Sequence, residues 1–162
     1  MPFFTLWAKS SFATKKQLDR AYWFLHEDTR PDFDDEVEES EQDAFEFIES
    51  IEDPDYLEKV GKQELIWELT VNKREWMPEE IIEGISLLGA THSDIFYQDE
   101  YDVRVYQHTP PKPVKTLYEV LNYDQEDEIR DELLENKLMK LDYGYDGLMY
   151  IIKKIESGYF NK

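Results

Sequence analysis

The stretch Phe3-Phe4-Thr5-Leu6-Trp7-Ala8-Lys9 is largely apolar on both faces when drawn as a strand. Phe4, Leu6 and Ala8 point one way and Phe3, Thr5 and Trp7 the other, because side chains alternate along an extended chain. A strand of that kind cannot leave either face in water. It needs cover above and below, which suits the central strand of a layered sheet.

The following segments supply candidates for that cover and for the other strands. Thr14 is placed to cap a helix whose apolar positions Leu18, Ala21, Tyr22 and Leu25 recur at helical spacing, with Lys15, Lys16, Asp19 and Arg20 outside; it is expected to run to about Glu27, before Arg30-Pro31. Residues 32–39 read as a loop. Ser40 then starts a second helix, with Ala44, Phe47, Ile48 and Ile51 as its apolar stripe, Asp43, Glu46, Glu49 and Glu52 outside, and Asp53-Pro54 as its stop. Leu65, Trp67, Leu69 and Val71 alternate with Ile66, Glu68, Thr70 and Asn72, the pattern of a half-buried strand. Pro78 suits the first position of a third helix carrying Ile81, Ile82, Ile85 and Leu88, with Glu79 and Glu80 at its positive end and Gly89 as its C-terminal cap. Residues 93–98 and 101–107 read as two strands around Asp99-Glu100.

His108-Thr109-Pro110-Pro111-Lys112-Pro113 reads as a rigid, Pro-rich linker, and everything beyond it as helix. A short helix is expected over 114–122 and a long one from Asp124 to about Leu141. A final helix carries Leu148, Ile151, Ile152 and Ile155, after Gly144 and Gly147. The resulting expectation is an α+β fold with a mixed four-stranded sheet, a ferredoxin-like variant. Its α+β core spans 3–107, 108–113 is the linker, and the helical extension 114–162 packs on the core to make a single domain over 1–162. The helices cover one face of the sheet and the extension covers the other.

Charge is the second constraint. From Glu27 to Glu58 the chain holds sixteen carboxylates and one arginine, and overall 38 acidic residues face 18 basic ones for a net charge of −20. Charge of that size repels itself and opposes the compact state. Yet 41 % of residues are hydrophobic and nine Phe, eleven Tyr and four Trp are present, which is the composition of a packed core and not of a disordered acidic tail. The absence of cysteine excludes disulfides, thiolate metal sites and cysteine nucleophiles. The N-terminal stretch lacks the basic region and cleavage pattern of a signal peptide, and no apolar run approaches the roughly 20 residues of a membrane span, so a cytoplasmic location is expected. Net negative charge also disfavours anionic membranes and direct contact with nucleic-acid phosphates.

Catalytic patterns are sparse. His26, His92 and His108 fall in no recognised spacing. His92-Ser93-Asp94 brings suggestive residue types together, but neighbouring strand residues point to opposite faces and so do not form a relay. Asp53-Pro54-Asp55 with Glu58 echoes a calcium loop without its glycine or its twelfth-position glutamate. Six glycines give no phosphate cradle. No cofactor, metal or catalytic residue is therefore assigned from the sequence.

The carboxylates point instead to binding. The expected function is that of a small acidic inhibitor that occludes the basic groove of a partner: a nuclease, a toxin or another nucleic-acid-binding protein. Toxin-immunity proteins and phage DNA mimics work in this way. The residues assigned to that contact are Phe33 as anchor with Asp34, Asp35, Glu36, Glu38, Glu39 and Glu41, and a second face of Glu128, Asp131, Glu132 and Glu135. Aromatic residues near the acidic segments, among them Phe45, Tyr56 and Tyr97, are further candidate anchors. Two alternatives are an enzyme whose site joins a histidine to dispersed carboxylates, and a scaffold that oligomerises through an apolar face.

Overall fold

The computed structural model describes residues 3–26, 37–51, 53–99, 102–120 and 144–161. The element order is β1 (Phe3–Phe12), α1 (Lys15–Leu25), a single 3-10 turn (Glu39–Glu41), α2 (Gln42–Ser50), β2 (Tyr56–Val60), β3 (Glu64–Asn72), α3 (Pro78–Ser86), β4 (Ala90–Gln98), β5 (Val103–His108), β6 (Lys115–Val120) and α4 (Gly144–Glu156), with a 3-10 turn at Tyr159–Asn161.

The α+β class holds, and the sheet differs from the expected one. It has six strands in the order β2-β3-β1-β4-β5-β6, and each neighbouring pair is antiparallel. The expected four-stranded mixed sheet with ferredoxin-like detail is therefore corrected. Two strands account for the difference. β2 alternates weakly and carries Glu58 and Lys59, which an edge strand tolerates because one of its sides meets water. β6 replaces the expected helix over 114–122. Val114, Leu117, Tyr118 and Leu121 mimic helical spacing, but Thr116, Tyr118 and Val120 favour extended chain and β5 offers a free edge. The Pro-rich segment joins two adjacent antiparallel strands. The long helix expected from Asp124 lies outside the described residues.

β1 is the central strand. Its register sets Phe4 against Val71 and Leu6 against Leu69 on one side, and Leu6 against Tyr97 and Ala8 against Ile95 on the other. One face of the sheet, built from Phe4, Leu6, Ala8, Leu65, Trp67, Leu69 and Ile95, packs under Leu18 and Phe24 of α1, Phe45 and Ile48 of α2, and Ile81 and Ile85 of α3. The opposite face, Trp7, Ile66, Phe96, Val103 and Val105, is covered by Leu148, Ile151 and Ile152 of α4. Burying a side chain of that size contributes roughly 1.5–3 kcal/mol, so these three contribute roughly 4.5–9 kcal/mol toward holding α4 on the sheet.

Local signals place the helices. Thr14 caps α1, its hydroxyl accepting from Gln17 N at 3.1 Å. Pro78 opens α3, and Glu80 reaches back to accept from Met77 N at 2.9 Å. Gly89 follows α3 with φ +101°, a conformation L side chains avoid, and so turns the chain into β4. No helix among the described residues is long and apolar enough to cross a membrane.

Candidate functional site

α2 and α3 lie side by side on the same layer, and their contact is close because Gly84 presents no side chain. A Cβ there would lie 2.3 Å from the Phe47 ring. Phe47 in turn meets Trp76 edge-on at 5.7 Å between centroids, so the seam between the helices is filled with aromatic carbon.

That seam fixes where the charge goes. Ala44, Phe45 and Ile48 of α2 and Ile81, Ile82 and Ile85 of α3 face the core, which turns Asp43, Glu46, Glu49, Glu80 and Glu83 outward. Residues 37–51 carry six carboxylates and residues 75–86 four, with no lysine or arginine in either segment. Asp43, Glu79 and Glu80 sit in first helical turns, where the helix dipole favours negative charge. Asp43, Glu46, Glu49 and Glu83 make no ion pair with a described residue. Two exposed apolar side chains flank α3: Met77, 62 % exposed, before it and Leu87, 54 % exposed, after it.

The sequence-assigned residues distribute as follows. Glu38 and Glu39 are exposed at the entrance to α2. Glu41 is turned inward to Arg20, whose Nε donates to its Oε2 at 2.7 Å, and the guanidinium holds the Glu41 carboxyl below its ordinary range against the opposing effect of burial. Arg20 also lies over the Trp23 ring at 4.3 Å. Glu41 Oε1 accepts from Glu38 N at 3.1 Å, so this pair ties the acidic segment to α1. Phe33, Asp34, Asp35, Glu36, Glu128, Asp131, Glu132 and Glu135 lie outside the described residues. Phe45 and Tyr97 are core residues, while Tyr56 is exposed at the sheet edge. Sequence reasoning missed the partnership of α2 with α3; the available signal was Gly84 set among the isoleucines of a helix that otherwise has no use for glycine.

Two polar clusters lie elsewhere. In the first, buried Asp99 takes the Tyr97 hydroxyl, Lys73 Nζ at 2.6 Å and Asp102 N at 2.7 Å, closing the β4–β5 connection. Burial, the Asp99 bond and its charge push the Tyr97 phenol well above its ordinary value. In the second, His92 and Asp94 share one face of β4, two residues apart. His92 Nε2 is 3.1 Å from Asp94 Oδ1, and His92 Nδ1 is 2.8 Å from the hydroxyl of Thr109. The Asp94 hydrogen bond raises the imidazole above its ordinary 6.5, burial opposing it. Ser93 points to the other face, where it bonds Ser10 at 2.7 Å. The alternation rule thus separates Ser93 from its neighbours, as expected, yet brings His92 and Asp94 together. Among the described residues no group of histidines and carboxylates is arranged to hold a metal ion.

Comparison of the chain with protein-family models, with curated proteins and with solved structures returned no match.

Proposed function

We propose that this protein is a small acidic binding protein that inhibits a basic partner, a nucleic-acid-processing enzyme or a toxin, by occupying the groove that otherwise holds phosphates. The observation that carries the reading is the joined outer surface of α2 and α3, with carboxylates from two helices and no lysine or arginine in either segment. Helix-borne carboxylates offer a basic groove a rigid row of negative charge, which speeds encounter and sets orientation. Met77 and Leu87 supply apolar contact at its two ends. Inhibition proceeds by occlusion and needs neither catalysis nor a cofactor.

The test starts with capture from the native host lysate at low and then raised salt, followed by assay of the captured enzyme with and without this protein. Inhibition of one basic enzyme, relieved as salt rises, supports the reading. Reversing Asp43, Glu46, Glu49 and Glu83 to lysine is then expected to slow association at least tenfold at low salt while the fold survives. An unchanged association rate removes the role given to this surface, and equal recovery of many basic proteins removes the specific partner.

A further inference from the structure

The cluster around His92 has the connectivity of an activated hydroxyl. Asp94 Oδ1 accepts from Gln107 Nε2 at 2.9 Å and stands 3.1 Å from His92 Nε2. A carboxylate can only accept, and Asp94 lies nearer to Nε2 than the Gln107 amide nitrogen at 3.4 Å does, which favours the neutral tautomer with its proton on Nε2, pointed at Asp94. Nδ1 is then left with a lone pair, 2.8 Å from Thr109 Oγ1, and the hydroxyl proton of Thr109 is directed onto it. Nucleophile, base and orienting carboxylate stand in the order that acyl transfer requires. They come from β4 and from the residue that follows β5, which Ser93↔His108 and Asp94↔Gln107 pairing brings alongside. The site is open to solvent: Thr109 is exposed and the His92 side chain is 34 % exposed.

We propose that Thr109, His92 and Asp94 form an acyl-acceptor site that takes an acyl group from an activated ester or thioester and passes it to water. Thr109 Oγ1 bonds to the acyl carbon as its proton moves to His92 Nδ1. The bond to the leaving alcohol or thiol breaks, and the leaving group takes the electron pair and the proton from His92. Water then attacks the threonyl ester, His92 Nδ1 takes the water proton, and Thr109 leaves with that proton restored. Asp94 and Gln107 act as positioning residues that hold the ring. The loop itself limits the substrate. Residues 110 and 111 are prolines without an N–H, and Lys112 N is used on Thr109 O at 3.0 Å. Because the two residues after the nucleophile offer no backbone donor to stabilise an oxyanion, the site is limited to donors with good leaving groups.

The test is incubation of the full chain with p-nitrophenyl acetate, following nitrophenol release and locating the acetyl group by peptide mass mapping. Acetylation of Thr109 is expected, absent in T109V, retained in T109S and slowed about 100-fold in H92Q. D94N is expected to be slow as well, with partial recovery in D94E, while circular dichroism and thermal melting stay near wild type. Should H92Q fail to fold, D94N reads the same network. Nitrophenol release unchanged in T109V, acetylation confined to other residues, or a rate that falls less than about tenfold in the folded H92Q or D94N chain overturns the proposal.

Discussion

Three buried groups joined in a row make Ser10→Ala a demanding test of the sheet's interior. Trp67 Nε1 donates to Ser10 Oγ at 2.9 Å, and Ser10 Oγ is 2.7 Å from Ser93 Oγ. Ser10, Ser93 and Trp67 are 0 %, 4 % and 1 % exposed, so water replaces none of these bonds. Removing the Ser10 hydroxyl strands both the indole N–H and the Ser93 hydroxyl. An unpaired buried polar group costs about 1–3 kcal/mol, so S10A, which strands two, is expected to lose about 2–6 kcal/mol. Ser93→Ala strands only the second bond of Ser10 and is expected to lose about 1–3 kcal/mol. The double variant leaves the indole N–H as the single orphan, so it is no less stable than S10A alone and the two losses do not add. Equilibrium urea unfolding of the four chains measures this, and for a chain of this size a loss near 3 kcal/mol also lowers Tm by about 6–12 °C. An S10A loss below about 0.5 kcal/mol, or strict additivity in the double variant, refutes the reasoning.

Glu68 is pushed up to about 7 by burial first and the Asp55 charge second, so its share of stability is present below the ordinary carboxylate value and lost as pH rises through about 7. Urea unfolding at pH 5 and pH 8 is expected to show E68Q gaining on wild type at the higher pH. Glu41 has the opposite sign: its lowered value gives stability that is present above the ordinary carboxylate range and lost on acidification, so an acid titration of E41Q is expected to be flatter than that of wild type. Gly89→Ala meets both a φ of +101° and a Cβ position 2.4 Å from Gln17 Nε2, whereas Gly158 has φ +76° and open space. Thermal melting is expected to show a cost of about 2–5 kcal/mol for G89A and about 1–2 kcal/mol for G158A.

Much of the architecture is legible in residue order because local rules and tertiary packing agree there. Thr14 before α1, the Leu65-to-Val71 alternation and Pro78 with Gly89 around α3 each state one structure in cap, period and turn. The two-faced apolar strand also implied cover on both sides, which α1–α3 and α4 provide. β2 and β6 were illegible because edge strands need bury little and tolerate charge, so their sequences carry a weak period. The sites were harder still. Glu41 reads as one more carboxylate in a run, and only the fold sets it on Arg20, twenty-one residues earlier. Thr109 reads as part of a linker until the β4–β5 pairing lays it against His92.

The position of β1 has a consequence for how the chain is made. Its two neighbours lie far along the sequence, with Thr5 opposite Thr70 on one side and Gln98 on the other. The strand at the middle of the finished sheet is therefore synthesised long before either edge it must join. The roughly ninety residues that separate Thr5 from Gln98 take about 5–20 s to add at ordinary elongation rates. Throughout that interval a strand with two apolar faces has at least one edge unpaired, the condition in which nascent chains associate with one another. The next long segment to emerge is the one from Glu27 to Glu58, with sixteen carboxylates. A dense negative charge tethered just behind an uncovered strand repels the same segment of a neighbouring nascent chain, and so opposes the association that the bare strand invites.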